Sequence, residues 1–339
     1  MTSITDALAV RLAARPARTA DAPATFAVRV MTVGVVLGAA GLLLAAGGLL
    51  LDPRTIAGDP AWLKPLKFGV AITTYFVVQR WIVGLIPGHA RRLGIFSVLV
   101  VTAFTAETVL IDLQVVRGTT SHFNESTLFD SVVWYLMAGF VGLLTLSTLV
   151  FAALALRIRG LDRGVAAGLR WGVLVSVLGM FQAVTMLVNP ADEAAGAHTV
   201  GAPDGGAGMW LTGWSLTDGD LRIGHFLGLH ALQALPLLAF LLLRLTRLDE
   251  RVRARLATIA GVALAAAVVL VTWQALRGQP LLQPDGVTLA AAGALAAAVG
   301  AAVLVVLLGA RRRTAGGPAS APSRPAEQAA PPSRAVSAP

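Results

Sequence analysis

Eight apolar stretches, each long enough to cross a bilayer, dominate this chain of 339 residues. A hydrocarbon core about 30 Å thick takes roughly 20 helical residues, because each residue rises about 1.5 Å. Numbered spans 1 to 8, they lie at about 27-51, 67-87, 94-116, 130-156, 166-189, 223-245, 255-276 and 287-310. They predict an all-α fold, a bundle of about eight transmembrane helices.

Composition agrees with this prediction. Only 13% of the residues are charged and 56% are hydrophobic, whereas a soluble domain carries about 25% charged residues. The mean hydropathy is +0.75. The chain has no cysteine, which excludes disulfides, iron-sulfur clusters, thiolate zinc sites and covalently attached haem.

The basic residues sort by side of the bundle. If the N-terminus is cytoplasmic, all but six of the 27 Lys and Arg residues fall on the inner side. The six on the outer side are Arg54, Lys64, Lys67, Arg117, Arg222 and Arg277. The positive-inside rule therefore predicts both termini in the cytoplasm. The Arg-rich, Ala-rich composition is typical of a bacterial inner-membrane protein, and the positive charge is explained by lipid headgroups rather than nucleic acid.

Three regions follow from this pattern. Residues 1-25 form a cytoplasmic leader, 26-313 the eight-span domain, and 314-339 a Pro, Ala and Ser-rich tail that we expect to be disordered. Two five-residue strings hint at an internal repeat: 114-118 and 274-278 both read Gln-x-x-Arg-Gly at the end of a span. They predict a 4+4 parallel duplication.

Ionisable side chains inside the spans are the first candidates for chemistry, because burying each in lipid is costly. Glu107 and Asp112 lie in span 3, five residues apart and so about 140° apart around the helix. His230 lies at a similar depth in span 6. This matching depth predicts one polar pocket that opens outward.

Polar loops and span ends supply the other candidates. Two cations at the start of span 2 oppose its helix dipole and favour a nearby anion. The predicted catalytic residues are Glu107, Asp112, His122 and His230. The predicted substrate-binding residues are Lys64, Lys67, Gln114, Arg117, Asn124, Asp130, Arg222 and Gln233. The candidate metal ligands are His225, His230 and His122, although the i, i+5 spacing of the first two does not suit one metal held by one helix.

Three strings carry a resemblance to a known family: 62-68, with its Trp-x-Lys-Pro-x-Lys-Phe pattern, 114-124, and 225-233. Over spans 2 to 6 the chain resembles a family of bacterial polytopic membrane proteins with no assigned activity. The resemblance implies the fold and no mechanism. The ceramidase and adiponectin-receptor group also places His, Asp and Ser around an intramembrane zinc, but this chain departs from it because its last span has no histidine.

Three functions remain open. The first is transport or binding of a small molecule. In its most specific form the molecule is anionic and its transport is coupled to protons. The second is a membrane-embedded hydrolase acting on lipid, with or without a metal. The third is a b-type haem or quinone protein using His230 with a second histidine. The sequence leaves the cofactor and the oligomeric state undetermined; the expected partners are the lipid bilayer and a small molecule or lipid.

Overall fold

The structure is a computed structural model that describes residues 25–86, 88–189 and 196–315. Among these residues it is almost entirely helical: eight long helices and one short one. The helices are α1 (Thr25–Leu51), α2 (Leu63–Gly84), α3 (Ala90–Arg117), α4 (Leu128–Ala155), α5 (Arg163–Gln182), α6 (Val184–Leu187), α7 (Arg222–Leu245), α8 (Glu250–Leu276) and α9 (Gly286–Ala315). The predicted all-α bundle is thus confirmed. The predicted leader apart from Thr25, and the predicted tail beyond Ala315, lie outside the described residues.

Seven segments of the described residues are long and apolar enough to span a membrane, one fewer than the eight predicted. They are α1, α3, α4, α5 continued by α6, α7, α8 and α9. The helix left out is α2, whose 22 residues include Lys64, Lys67 and Arg80. These charges lower its mean hydropathy, although about 33 Å of helix is long enough for the crossing.

Capping side chains start several helices before their apolar stretch begins. Thr127 accepts a hydrogen bond from the Asp130 amide at the start of α4. Asp162 and Asp249 do the same for α5 and α8, each accepting from two backbone amides. These three capped helices therefore begin two to five residues before the predicted spans, because N-caps extend the helix into polar sequence.

The helices pack as two groups. In the first, α1 packs on α2 and α3, and α3 packs on α4; in the second, α5 packs on α7 and α8, and α8 packs on α9. Close contacts are made by glycine. A Cβ added at Gly179 of α5 would lie 2.7 Å from the Cα of Gly228 on α7, so the two backbones touch. Small residues allow this approach in lipid-embedded helices.

Two small antiparallel pairs close the loops at one end of the bundle, the end where α2 and α7 begin. Strand β1 (Thr55–Ile56) pairs with β2 (Asp59–Pro60), with Ala57 and Gly58 in the turn. Strand β3 (Thr199–Val200) pairs with β4 (Gly219–Asp220). The second pair brings the ends of a long loop together, so that residues 201–218 form a compact cover at this end.

Candidate functional site

A pocket of about 1040 Å³ lies beneath this cover. Its walls come from the β1–β2 turn, the start of α2, the end of α3 with the turn after it, and the loop that begins at Gly196. The charged or titratable side chains that line it are Asp59, Lys64, His122, His198, Asp204, Asp218 and Arg222. Three of these, Lys64, His122 and Arg222, are among the predicted site residues.

Lys64 and His122 meet at one wall of the pocket. The Lys64 ammonium lies 3.1 Å from Nδ1 of His122, and the Ser121 hydroxyl lies 3.1 Å from the same nitrogen. An ammonium group can only donate, so Nδ1 is the acceptor and the ring proton is on Nε2. Burial, together with the charges of Lys64 and His198, lowers the pKa of His122 well below its usual value. The imidazole is therefore neutral.

Aromatic rings fix the position of His122. Its ring centroid lies 5.9 Å from that of Phe68 and 5.7 Å from that of Trp134. The next residue, Phe123, has φ of +54°, which is uncommon for a residue with a side chain. Its ring packs against Trp134 and His198 with centroid distances of 4.6 and 4.9 Å. The strained backbone at Phe123 is thus held by packing on both sides, as often occurs beside functional groups.

His198 and Asp204 form a second polar pair in the lining of the pocket. Nδ1 of His198 lies 2.6 Å from Oδ2 of Asp204, and the backbone amides of His198 and Thr199 also donate to this carboxylate. Burial lowers the pKa of His198 although Asp204 opposes the shift. Burial raises the pKa of Asp204, but the hydrogen bonds from His198 outweigh this effect and hold the pKa below its usual range. Asp204 is therefore a carboxylate whose hydrogen bonds are already occupied.

Two cations hold the cover in place. Lys67 donates to the carbonyl of Thr212 at 2.9 Å, and Arg222 donates to the carbonyl of Gly213 at 2.6 Å. Gly213 has φ of +65°, and an added Cβ would lie 2.9 Å from Oδ2 of Asp59, so only glycine fits this turn. Arg222 also pairs with the fully buried Asp220. The tip of the cover, with Trp210 89% exposed, points away from these contacts.

The two acidic residues of α3 lie on different faces, as their spacing predicted. Glu107 is only 2% exposed, and neither carboxyl oxygen has a hydrogen-bond partner among the described residues. It interacts electrostatically with Lys64. Asp112 is half-buried, with one oxygen that lacks a partner in the described part of the chain. Glu107 is therefore the predicted acid that the structure associates with the pocket.

Four predicted substrate-binding residues form instead a network that joins the end of α3 to the start of α4. Asp130, 2% exposed, accepts from Gln114 at 2.8 Å and from Arg117, whose guanidinium also reaches Gln114. Asn124 bonds the turn itself, donating to Thr119 and to the Thr120 carbonyl. These contacts occupy the polar atoms, so in this structure the four residues stabilise the turn that carries His122.

The predicted residues of α7 are spread around that helix. Nδ1 of His225 lies 2.8 Å from the Gly179 carbonyl on α5, which places it at the α5–α7 contact. Nδ1 of His230 lies 2.8 Å from the Phe226 carbonyl, and its ring stacks on Phe226. The Gln233 amide, once its oxygen and nitrogen are exchanged, donates to carbonyls one turn back. None of the three is a pocket-lining residue.

The proposed metal ligands are therefore not brought together. His122 lies in the turn after α3, whereas His225 and His230 make separate contacts on α7. Within residues 25–86, 88–189 and 196–315 no group of three or more His, Asp or Glu side chains is arranged to hold a metal ion.

Sequence reasoning missed Ser121, His198 and Asp204 as pocket residues. Ser121 was visible beside His122, but its type is common in turns. His198 and Asp204 lie in the long loop, where no periodicity locates a side chain. The available signal was that His198 is one of only five histidines and precedes an acidic, glycine-rich stretch.

No protein-family model, curated protein or solved structure matches this chain. The function must therefore be inferred from the site itself. The seven apolar helices in the described residues identify the chain as an integral membrane protein that crosses the bilayer several times.

Proposed function

We propose that this protein binds a small molecule with an anionic group in the pocket and carries it across a bacterial inner membrane by a proton-coupled mechanism. The main support for the proposal is the environment of Lys64. This lysine lines the pocket, yet it is in no ion pair with any described residue, and its one hydrogen-bond partner there is a neutral imidazole. Burial and the charges of Arg222 and Lys67 lower the pKa of Lys64 to about 7. An anion beside this amine, at the start of a helix, stabilises its charged form.

The acidic side chains of the pocket do not replace such an anion. Asp204 is occupied by His198 and two backbone amides, and Asp218 accepts the Thr217 hydroxyl. The charge of Asp59 acts on Lys67, and it is not among the main charges that act on Lys64. Among the cations at this wall of the pocket, Lys64 is thus the one whose charge is least balanced by carboxylates.

His122 allows Lys64 to change partners at little cost. Nδ1 has one lone pair, and both Lys64 and Ser121 lie within reach of it. When a ligand carboxylate or phosphate takes the ammonium group, the Ser121 hydroxyl can donate to Nδ1 instead. No buried acceptor is left without a donor, which would otherwise cost about 1–3 kcal/mol.

Glu107 is the proposed proton carrier. An ionised carboxylate with no hydrogen bonds is among the most costly groups to bury in a membrane, so Glu107 needs either a proton or a cationic partner. It lies close enough to Lys64 for the two charges to interact. A change in the charge at Lys64 on ligand binding therefore changes the proton affinity of Glu107.

The helix packing supports a 4+4 repeat, with the pocket at the interface between its halves. The pairs α1–α2 and α5–α7 are the two most extensive helix contacts of the described residues. Both Gln-x-x-Arg-Gly strings end a helix at a left-handed glycine, with φ of +76° at Gly118 and +72° at Gly278. In both halves the arginine then pairs with an aspartate at the start of the next helix, Asp130 or Asp285. Arg222 on α7 occupies the place of Lys64 on α2, and both line the pocket.

Ligand binding to the purified full-length protein in lipid nanodiscs tests the proposal. Acetate, succinate and inorganic phosphate are titrated by calorimetry, and uptake into proteoliposomes is measured with and without a pH gradient. We expect at least one anion to bind, and Lys64→Met to weaken it about tenfold or more through loss of a charge-assisted contact. Arg277→Met, which removes a cation at the same end, is the matched control and should bind normally. If no anion binds, or if Lys64→Met binds equally well, the proposal fails.

One contact favours a second candidate, a membrane-embedded hydrolase acting on a lipid or ester. The Ser121 hydroxyl and His122 Nδ1 are at a nucleophile-to-base distance and both line the pocket. The Lys64 ammonium, however, occupies the same nitrogen. Labelling by a fluorophosphonate probe that is lost in Ser121→Ala would support the hydrolase; an unlabelled protein would exclude a reactive serine at this position.

A further inference from the structure

We infer that the ligand carries an ammonium group as well as a carboxylate, and so belongs to the amino acids and other small amphoteric molecules. This inference rests on the proposed function, because it names the ligand class of the same pocket. The observation behind it is the pair formed by Lys64 and Glu107, two opposite charges that interact without a direct ion pair.

Glu107 does not itself line the pocket, but it lies one helical turn from a residue that does. It precedes Ile111 by four residues on α3, so the two side chains lie on the same face, one turn apart. Ile111 is part of the pocket lining. Glu107 is 98% buried by its 2% exposure, and both of its oxygens lack partners in the described part of the chain. An acceptor pair of this kind, next to a cavity, is suited to a donor supplied by a ligand.

The two groups are complementary to one amphoteric molecule. The Lys64 ammonium binds a carboxylate, and the Glu107 carboxylate binds an ammonium group of the same ligand. Such a ligand brings no net charge into the site. Its ammonium group takes the place of the proton that Glu107 otherwise carries, so both side chains are satisfied at once. A simple carboxylate satisfies Lys64 alone and leaves Glu107 without a partner, which is the less favourable outcome in a low-dielectric site.

The other cation of the pocket does not compete for this role. Arg222 is paired with buried Asp220 and with the Gly213 carbonyl. Asp112, the second incompletely bonded acid of α3, lies about 140° around the helix from Glu107. Asp112 therefore provides a matched control, since Asp112→Asn removes a carboxylate from the same helix but from another face.

The test compares glycine with glycolate, which differ by an ammonium group against a hydroxyl, and 4-aminobutyrate with butyrate. Each is titrated by calorimetry into the full-length protein in nanodiscs. In the wild-type protein we expect at least one amphoteric compound to bind about tenfold or more tightly than its partner. In Glu107→Gln the preference should disappear while carboxylate binding stays, and in Asp112→Asn it should be retained.

The outcomes separate the two ideas. If glycolate and butyrate bind as tightly as the amphoteric compounds, or if Glu107→Gln keeps the preference, the inference is wrong and the anion-binding proposal stands. If neither these compounds nor the simple anions bind, both fail. The wild-type comparison does not depend on any variant folding, so a destabilised Glu107→Gln leaves the inference open to refutation.

Discussion

The two halves of the bundle, 25–155 and 162–315, have similar helix packing but different chemistry. Under the proposed repeat, Glu107 and Asp112 on α3 correspond to Ala267 and Thr272 on α8. The turn that carries Ser121 and His122 in the first half is replaced by a shorter one, 279–284, in the second. The second half supplies Arg222 and the cover instead. A shared scaffold thus positions the pocket, while each half supplies different ionisable groups to it.

The buried ion pair of the second half should give the largest effect. Arg253 on α8 pairs with Asp162 at 2.6 Å, and both side chains are largely buried; α1 and α3 share no such pair in the described residues. We expect Arg253→Met to lower the free energy of unfolding by about 3 kcal/mol, because it leaves a buried carboxylate without its cation. Denaturant titration in detergent micelles measures this change.

The control for that change is Glu250→Gln, which removes the exposed pair with Arg163 and should cost no more than about 0.5 kcal/mol. If both variants lose the same unfolding free energy, the Asp162–Arg253 pair stabilises the second half no more than an exposed ion pair does.

Helix contacts provide the second comparison. The α5–α7 contact joins two backbones at Gly179 and Gly228, so Gly179→Ala must separate the helices. We expect a loss of about 2 kcal/mol. Gly142→Ala on α4 is the control, because nothing lies within 4 Å of its added Cβ, and it should be neutral or slightly stabilising. Thermal unfolding of both variants measures the difference. If Gly179→Ala unfolds at the same temperature as the wild-type protein, the two backbones do not touch at this position.

Gln114 at the end of α3 and Gln274 at the end of α8 are equivalent under the repeat but have different partners. Gln114 donates to the carboxylate of Asp130, whereas Gln274 donates to the carbonyls of Pro280 and Leu281. Loss of a hydrogen bond to a charged group costs more, so we expect about 2 kcal/mol for Gln114→Met and about 1 kcal/mol for Gln274→Met. The reverse order of denaturation midpoints would contradict the stronger hydrogen bond from Gln114 to the Asp130 carboxylate.

Buried histidines and ion-paired aspartates should give stability two different dependences on pH. The pKa of His122 lies well below its usual value because of burial and the Lys64 and His198 charges. Above about pH 6.5 both the folded and unfolded states are neutral there; below it only the unfolded state takes up a proton. Stability therefore falls as pH falls, by at most about 1.4 kcal/mol per pH unit.

In the second half, Arg277 lowers the pKa of Asp285, so that contribution is lost only below about pH 4, the unfolded value. His122→Asn keeps an acceptor for Lys64 and should flatten the pH 5 to 6.5 part of a thermal-stability profile. The pKa of His198 is lowered too, and His198→Asn separates its share. A profile unchanged in both variants would contradict neutral imidazoles at the site.

The helices were predictable because lipid imposes one pattern on all of them: a run of apolar residues long enough to cross. The predicted span 255-276 and the observed α8 (Glu250–Leu276) share their last residue, and the earlier start comes from the Asp249 cap. The convergence of Lys64 and His122 was also expected. The hydrogen-bond partner of each polar side chain could not be predicted. Asp130, for example, could bind a ligand or stabilise a turn, and its partner depends on how the helices pack. His198 and Asp204 depend on loop geometry that no periodicity encodes.

Because the single lone pair of His122 Nδ1 faces both Lys64 and Ser121, the imidazole acts as a spectroscopic reporter of pocket occupancy. A ligand that draws the ammonium away changes the donor at this nitrogen from a cation to a hydroxyl, without any change in the ring's tautomer. The nitrogen resonance of one selectively labelled histidine should then shift on binding, so occupancy can be followed inside a bilayer where no transport is measured.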